Sequence, residues 1–295
     1  MATPKKTETK VVAQPTKEIE ITKLEDFTKL VEDNVKKTNG EHDMFCYRGV
    51  ASSTYKLVPG LYRHPDTNIK IEQLLKHEYE IFLKFLHLGK PMFPVGLDFG
   101  NADDFDFWES LFFMQHWGFP TRLLDWSQNP YVALFFALSE AKNKIDEKKA
   151  EKPDAAVWVL NAVQWNRFFL SGQGYKEGVL SVGHASLDNY KSKYTVIDRL
   201  NNFPVAMYGI HNNARISVQK GMFVIFGKDV LPMEEQVKKA EKPEDLLYKV
   251  IIKHDNIENL FKTLYSIGFT DSFVYPDLHG LAYETRRDFG FRVGG

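Results

Sequence analysis

The sequence is poor in cysteine, with one such residue, Cys46, among 295. A single cysteine excludes an internal disulfide framework and a thiolate-rich zinc site, and it is typical of a reducing compartment. Long apolar runs are also lacking, since none approaches the roughly 20 residues needed to span a bilayer. The N-terminal residues contain lysines but no hydrophobic segment of the kind that directs export. We therefore expect a cytoplasmic protein with no membrane contact.

An excess of charge of either sign is missing too. The chain carries 38 Lys and Arg against 39 Asp and Glu, a formal net charge of -1. Proteins that coat nucleic acid or anionic lipid have a strong basic excess, so any site for a polyanion must be local. Hydrophobic residues make up 43% of the chain and charged residues 26%, which excludes disordered, collagen-like and coiled-coil classes. The aromatic share, 14%, is more than a core of this size needs.

The signatures of several common enzyme classes are absent from the sequence. There is no P-loop, no HExxH zinc motif and no GxSxG nucleophile elbow. Gly172, Gly174 and Gly178 miss the spacing of the dinucleotide-binding motif by one residue. The histidines are scattered along the chain, so we expect no metal site.

Local patterns predict one α+β domain at residues 19–295, preceded by a disordered tail at 1–18, which is polar and aperiodic. The charged stretch 142–152 is predicted to be a solvated loop. No internal repeat or linker divides the chain, which favours one domain over two. Periodicity predicts helices at 23–37, 69–88, 105–117, 131–138 and 257–267, and strands at 44–49, 155–160, 219–226 and 247–252.

Two short segments hold residues suited to ligand binding. The first is Tyr47-Arg48-Gly49, at the end of a predicted strand. The planar guanidinium of Arg48 can hold a phosphate or carboxylate through two hydrogen bonds, and Gly49 lets backbone and ligand approach closely. An arginine paired with a carboxylate at the edge of the core explains the same residues, so both interpretations stay open.

The second segment runs from Gln115 to Ser127 and is dense in polar and aromatic side chains. It places an amide, an imidazole, a guanidinium, a carboxylate, hydroxyls and two indoles around glycine and proline turns. Burying such polar groups near a core costs free energy unless they have partners or bind a ligand. Both a ligand site and a structural hydrogen-bond network are consistent with this segment.

Together these segments resemble the FRG domain family. The resemblance rests on four blocks in the family's order, at residues 45–49, 115–138, 215–223 and 275–281. The pattern is also similar to that of divergent ADP-ribosyltransferases. It implies an α+β fold in which a split, mainly antiparallel β core is flanked by helices, with an arginine on the first strand and a catalytic acid on a later one.

The resemblance implies NAD as a co-substrate, without a metal ion, and it suggests roles for individual residues. Arg48 would grip the diphosphate or ribose of NAD, and Trp117 and Trp126 would stack on its rings. The catalytic candidates are Arg48, Asp125 and Gln219, the last of which falls where the transferases usually place glutamate. The other candidates for NAD binding are Tyr47, Gly49, His116, Thr121, Arg122, Trp126 and Ser127.

A glutamine at the position of the acid leaves two functions open. Cleavage of the nicotinamide-ribose bond requires stabilisation of an oxocarbenium-like state, which a carboxylate does best. Gln219 can hydrogen-bond a ribose hydroxyl but carries no negative charge. Either Asp125 supplies that charge, or the protein is a non-catalytic module that binds a nucleotide or an NAD-derived signal. Asp125 as a structural partner of Arg122 or His116 is equally consistent with the sequence.

The resemblance also implies partners. The acceptor would be RNA, DNA or protein, and the protein would act as a bacterial toxin or anti-phage effector with an antitoxin or regulatory protein as a partner. For a nucleic-acid acceptor we expect contacts from Lys191, Lys193, Arg199 and Arg215. The lysine-bearing stretch 5–17 is a candidate partner or tether segment. A protein-interaction domain with a purely structural polar cluster is the remaining alternative.

Overall fold

The computed structural model describes residues 17–37, 43–93, 106–146, 152–191, 197–210 and 214–293. Most of the predicted tail lies outside these residues, and the first strand begins at Glu18. The strands are β1 (Glu18–Ile21), β2 (Phe45–Val50), β3 (Leu123–Ser127), β4 (Ala155–Asn161), β5 (Val205–Tyr208), β6 (Gly221–Ile225) and β7 (Leu247–Ile252). The helices are α1 (Leu24–Lys37), α2 (Ile71–Gly89), α3 (Phe107–His116), α4 (Pro130–Asp146), α5 (Ala162–Phe169), α6 (Ala214–Gln219), α7 (Met233–Gln236), α8 (Pro243–Leu246), α9 (His254–Ser266), α10 (Asp271–Val274) and α11 (Leu278–Asp288).

The strands of the described residues form one seven-stranded sheet in the order β1-β7-β4-β2-β3-β6-β5. Neighbouring strands are antiparallel except β1 and β7, which are parallel. The predicted α+β class with a mainly antiparallel core is therefore confirmed. The sheet is continuous rather than divided in two, but β2 and β3 share a single residue pair, Tyr47 and Ser127. The sheet opens beyond this pair.

The strand β4 lies inside the sheet between β2 and β7, and all of its residues are buried. A strand buried on both faces reads as a continuous apolar run rather than as an alternating one. This is the pattern that predicted a strand at residues 155–160.

Helices cover both faces of the sheet. On one face, α1, α4 and α9 pack on the β4 side, where Val157 belongs to their core cluster, and α2 and α3 pack on the β3 side, where Leu123 belongs to theirs. The other face is covered by a third cluster that includes Trp158, Leu124 and Trp165 of α5. Because side chains alternate along a strand, the first two clusters share a face. A space is left between them at the narrow β2–β3 junction.

Two predicted boundaries are wrong. Residues 142–146 belong to α4 rather than to a loop, and an ion pair one helical turn apart, Glu140 to Lys144 at 3.1 Å, stabilises this last part of the helix. The rest of the predicted loop includes 147–151, outside the described residues. Gln219 ends α6 instead of beginning a strand, and β6 begins at Gly221. Lys220 between them has a positive φ of 45°, which turns the chain from helix to strand.

Candidate functional site

A cavity of about 490 Å³ lies between α3 and α4, beside the β2–β3 junction. Its volume is within the range of roughly 300 to 1,000 Å³ found for small-molecule sites. Its walls come from β2, β3, β6, α3, α4, α6, α10 and α11. With Tyr275, which lies between α10 and α11, the cavity gathers residues from all four sequence blocks. The polar side chains among the lining residues are Tyr47, Arg48, Gln115, His116, Asp125, Ser127, Ser139, Glu140, Asn143, Arg215, Gln219, Asp271, Tyr275, Tyr283 and Arg287.

Arg48 bridges the two strands where the sheet opens. Its Nη1 donates to the backbone carbonyl oxygen of Asp125 at 2.6 Å. Burial lowers the pKa of Arg48 and the nearby charge of Asp125 opposes this shift, but a guanidinium remains charged in a protein. No carboxylate within the described ranges forms an ion pair with it. Its other N–H groups are therefore available to an anion in the cavity.

Asp125 presents its carboxylate at the cavity wall. Nε2 of Gln115 donates to Oδ1 at 3.1 Å and to Oδ2 at 3.0 Å. Oε1 of Gln115 in turn accepts a hydrogen bond from the hydroxyl of the buried Thr121. Thr121 therefore orients Gln115, and Gln115 orients Asp125. In the described part of the chain this carboxylate has no ion pair, so its negative charge is left to act on a ligand.

Arg122 lies outside the cavity, in a structural network. Its Nε donates to both carboxylate oxygens of Glu78, at 3.0 and 2.8 Å, and both side chains are fully buried. Its Nη1 donates to the carbonyl of Phe226 at 2.8 Å, and its Nη2 donates to the carbonyl of Tyr190. All three nitrogens are thus occupied, which leaves Arg122 with the partner Glu78 rather than Asp125 or NAD.

The segment from β2 to α4 matches a known protein family. Residues 43–146 match the FRG domain model. The match covers about a third of the chain and contains Arg48, Gln115 and Asp125, which supports the predicted family. No curated protein and no solved structure shows significant similarity to the chain.

Within the FRG match, Gly49 has a packing role. A Cβ atom added to it would lie 1.9 Å from the carbonyl oxygen of Ala133 and 2.6 Å from the amide nitrogen of Ala137. Glycine is therefore required here so that α4 can pack directly on β2. Tyr47 is buried against the same helix. Both residues border the cavity, and the close approach that Gly49 permits is to α4.

Three other residues with predicted NAD contacts differ in their positions relative to the cavity: Ser127, Trp126 and Trp117. The hydroxyl of Ser127 donates to the carbonyl of Gln219 at 2.6 Å and accepts from the amide of Asn129 at 2.9 Å. Trp126 borders the cavity, but its indole belongs to the core cluster on the opposite face of the sheet. Trp117 is 62% exposed and is not part of the cavity lining. Ser127 thus fixes the turn into α4, and Trp126 packs on the far face of the sheet.

The helix α6, outside the FRG match, contributes a second cation to the cavity. The guanidinium of Arg215 lies 4.4 Å from the ring centroid of Tyr275 and forms no ion pair with any described residue. Burial and the charge of Arg215 both lower the pKa of His116. At the end of α6, Nε2 of Gln219 donates to the carbonyl of Val274 at 3.0 Å. Gln219 thus lines the cavity with its amide group held by α10.

Sequence reasoning missed the cavity residues on α4 and α11. Phe136, Ser139, Glu140 and Asn143 recur at the spacing of one helical face, and this signal was available in the sequence. On α11, Arg287 pairs with Asp271 at 2.8 Å and donates to Asn143 at 3.2 Å. The side chain of Asp277 caps the start of this helix, where it accepts from the amide of Gly280 at 2.9 Å.

The remaining predictions concern nucleic-acid contacts, metals and membranes. Arg215 lines the cavity whereas Lys191 and Arg199 do not, and Lys193 lies outside the described residues. Lys191 pairs with Asp188 at 2.8 Å. The described ranges contain no group of three or more His, Cys, Asp or Glu residues placed to hold a metal ion. In the same ranges no helix has both the length and the apolar character required to cross a bilayer.

Proposed function

We propose that the protein is an NAD-dependent ADP-ribosyltransferase whose active site is the cavity between α3 and α4. The observation that carries this proposal is the presence, in one cavity, of a cation and a carboxylate that form no ion pair with any of the described residues. These are Arg48 and Asp125, which are joined by a backbone hydrogen bond of 2.6 Å.

The cavity offers the groups that NAD binding requires. Its diphosphate needs cations, and Arg48 and Arg215 both line the wall without a carboxylate partner among the described residues. Arginine suits this role because its rigid fork forms two parallel hydrogen bonds to a phosphate. Aromatic rings at the wall, including Tyr275 and Phe136, offer stacking surfaces for the nicotinamide or adenine ring. Such stacking contributes about 1 to 3 kcal/mol per base.

The reaction follows from the charges. The bond between nicotinamide and C1′ of the ribose breaks, and its electron pair leaves with the ring, which changes from a pyridinium cation to neutral nicotinamide. Positive charge develops on the ribose, where an anion is most stabilising. A nucleophilic N or O atom of the acceptor then bonds to C1′ and loses its proton to a base. No general acid is needed because the leaving group departs neutral.

Asp125 takes the role that glutamate has in the resembled transferases. It carries the negative charge, and Gln115 holds both of its carboxylate oxygens. Gln219 retains one free function in this proposal, since its Nε2 is bonded to Val274 while Oε1 remains an acceptor for a ribose hydroxyl. In this proposal Asp125 on β3 supplies the carboxylate, and Gln219 on α6 accepts a hydrogen bond from a ribose hydroxyl.

The direct test uses NAD labelled in its adenine part. The purified protein is incubated with this NAD and with lysate protein, RNA or DNA, and the label transferred to each fraction is counted. We expect transfer by the wild type, loss of transfer in Arg48→Ala and normal transfer in Arg286→Ala, an exposed arginine outside the cavity. Absence of both transfer and nicotinamide release in the wild type would refute the proposal.

One observation favours a second candidate, a module that binds a nucleotide or an NAD-derived signal without turnover. The position of the usual acid holds an amide, and that amide is fixed by the carbonyl of Val274. Calorimetry followed by recovery of intact NAD would support this candidate. The exchange Gln219→Glu separates the two functions: we expect a transferase site to keep or gain turnover, whereas a binding module would change in affinity alone.

The role as a bacterial toxin or anti-phage effector, neutralised by an antitoxin or regulatory protein, belongs to the same proposal. It predicts growth arrest when the wild type is expressed from an inducible promoter and normal growth with Arg48→Ala at equal protein levels. Equal growth of both strains would contradict the role as a toxin and leave the enzymatic proposal to the transfer assay.

A further inference from the structure

A second groove, of about 740 Å³, lies beside the C-terminal end of α11. It is lined by residues at the end of α4, by α9, and by the chain that follows α11. Arg287 and Val293 line both this groove and the first cavity. The two spaces therefore share a wall, and a polymer lying in the groove passes next to the cavity.

The groove is locally basic in a protein of net charge -1. Its lining contains four cationic side chains, Lys142, Lys262, Arg287 and Arg292, against one carboxylate, Asp288. Arg287 is paired with Asp271, and Lys262 is paired with Glu258 at 2.8 Å. Arg292 is exposed and forms no ion pair with the rest of the described chain. This is the kind of local site to which a polyanion binds when the whole protein is neutral.

Aromatic side chains alternate with these cations. Phe261, Tyr265 and Phe291 line the groove; Phe291 is 69% exposed, whereas Phe261 is buried in the core. The hydroxyl of Tyr265 is buried and has no hydrogen-bond partner among the described residues. A buried hydroxyl without a partner costs free energy.

Phe291 and Arg292 are held in place rather than carried on a loose end. At the end of α11, the amide of Phe291 donates to the carbonyl of Arg286 at 2.7 Å and that of Gly290 donates to Arg287 at 3.1 Å. Gly290 has a φ of 75°, and this pattern is the Schellman motif. Val293 is buried beyond it. The fold therefore fixes an exposed aromatic ring beside a cation.

We propose that this groove binds single-stranded nucleic acid and presents it to the cavity as the acceptor. Cations that follow the backbone, interleaved with exposed rings on which bases stack, are the features of sequence-tolerant single-strand binding. A duplex hides its base faces and cannot use Phe291 in this way. The transfer step rests on the function proposed above, whereas the binding step does not.

The first test measures binding without NAD. Fluorescence anisotropy is recorded with labelled dodecamers of uridine and of thymidine, and with a duplex of the same length, at low salt. We expect single strands to bind more tightly than the duplex. Phe291→Ala should weaken single-strand binding about 5- to 150-fold, as loss of one stacked base implies. Its matched control is Phe289→Ala, which removes an exposed ring of the same helix end that does not line the groove.

The second test measures how far the affinity for single strands depends on the cations of the groove. The double variant Lys262→Ala/Arg292→Ala should lower the slope of log affinity against log salt by about 1.4, since each phosphate contact to a single strand contributes about 0.7. Arg286→Ala, an exposed neighbour outside the groove lining, should leave the slope unchanged. Equal losses in Phe291→Ala and Phe289→Ala would overturn the proposal, as would tighter binding of polyglutamate than of the oligonucleotides, which would indicate an acidic protein partner.

The two proposals fail in different measurements. If the protein binds oligonucleotide through Phe291 but releases no nicotinamide, the enzymatic proposal fails and the binding surface stands. If it releases nicotinamide but binds no single strand, the groove proposal fails alone. With both activities present, Phe291→Ala should reduce label transfer to the dodecamer and leave nicotinamide release without acceptor unchanged, because Phe291 is not part of the cavity lining.

Discussion

The two ends of the segment 121–125, which leads into β3, hold charged residues with different roles. Near its start, Arg122 is fully buried and all three of its nitrogens are bonded within the protein. At its other end, Asp125 is exposed at the cavity, with its carboxylate held by an amide. Among the described residues, Arg48 on the neighbouring strand has one hydrogen-bond partner, the carbonyl oxygen of Asp125. Arg122 is neutralised by Glu78, whereas Arg48 and Asp125 form no ion pair with the described residues. The charges of Arg48 and Asp125 can therefore act on a ligand.

This difference follows from the sheet. Next to β3, the strand β2 is paired at one position only, so the space beside Asp125 is open to a ligand, whereas the start of β3 is enclosed by α2 and the end of β6. Gln115 connects the two ends because it contacts Thr121 at one and Asp125 at the other. A structural network thus positions the residue proposed for catalysis.

The largest expected effect is on stability, at the enclosed end. Arg122→Ala leaves Glu78 buried without its partner and should lower the free energy of unfolding by about 3 to 5 kcal/mol, measured by urea denaturation. The control is the double variant Glu78→Leu/Arg122→Met, which removes both charges and should recover much of the loss. A single variant as stable as the wild type would show that the ion pair has no structural role.

Gln115→Met tests the link between the two ends. The hydroxyl of Thr121 loses its acceptor and Asp125 loses its donor, so the free energy of unfolding should fall by about 1 to 3 kcal/mol. Nicotinamide release should fall about 10- to 100-fold because a misplaced catalytic group loses its alignment. A loss of stability with unchanged release would show that Asp125 needs no positioning by Gln115.

Gly49→Ala tests the packing of α4 on β2. The added methyl group meets the backbone of Ala133 and Ala137, so we expect a loss of about 1 to 3 kcal/mol in the free energy of unfolding. Gly172→Ala is the matched control, since a Cβ at Gly172 meets no atom within 4 Å. Equal stability of the two variants would contradict the close approach of α4.

The smallest expected effect is a pH dependence from His116. Burial and Arg215 lower the pKa of His116 in the folded state, so the unfolded chain takes up this proton first as the pH falls below about 6.5. The free energy of unfolding should therefore decrease as the pH drops from 6.5 toward the lowered pKa. His116→Gln should show a flatter profile in that window, and the effect should be small because the ring is partly exposed. Identical pH profiles of the free energy of unfolding in the wild type and in His116→Gln would contradict this prediction.

Sequence patterns predicted the apolar elements better than the site. The strand at 247–252 has the predicted bounds, and the buried run of β4 was recognised because burial on both faces leaves a continuous apolar signal. β3 was missed because it alternates buried residues with the exposed Asp125 inside a segment rich in turn formers. A local pattern could not separate Arg122 from Arg48 either, since their partners Glu78 and Asp125 are distant in the chain.

The proposal that NAD is cleaved in the cavity depends on Asp125. Its most direct test compares nicotinamide release by the purified wild type and by Asp125→Asn. The asparagine keeps an acceptor for Gln115 but removes the charge, so stability should change by no more than about 0.5 kcal/mol. We predict release by the wild type and a rate about 100- to 1,000-fold lower in the variant, the loss expected when one transition-state contact is removed. Equal release by both proteins, with both folded, would contradict the role of Asp125.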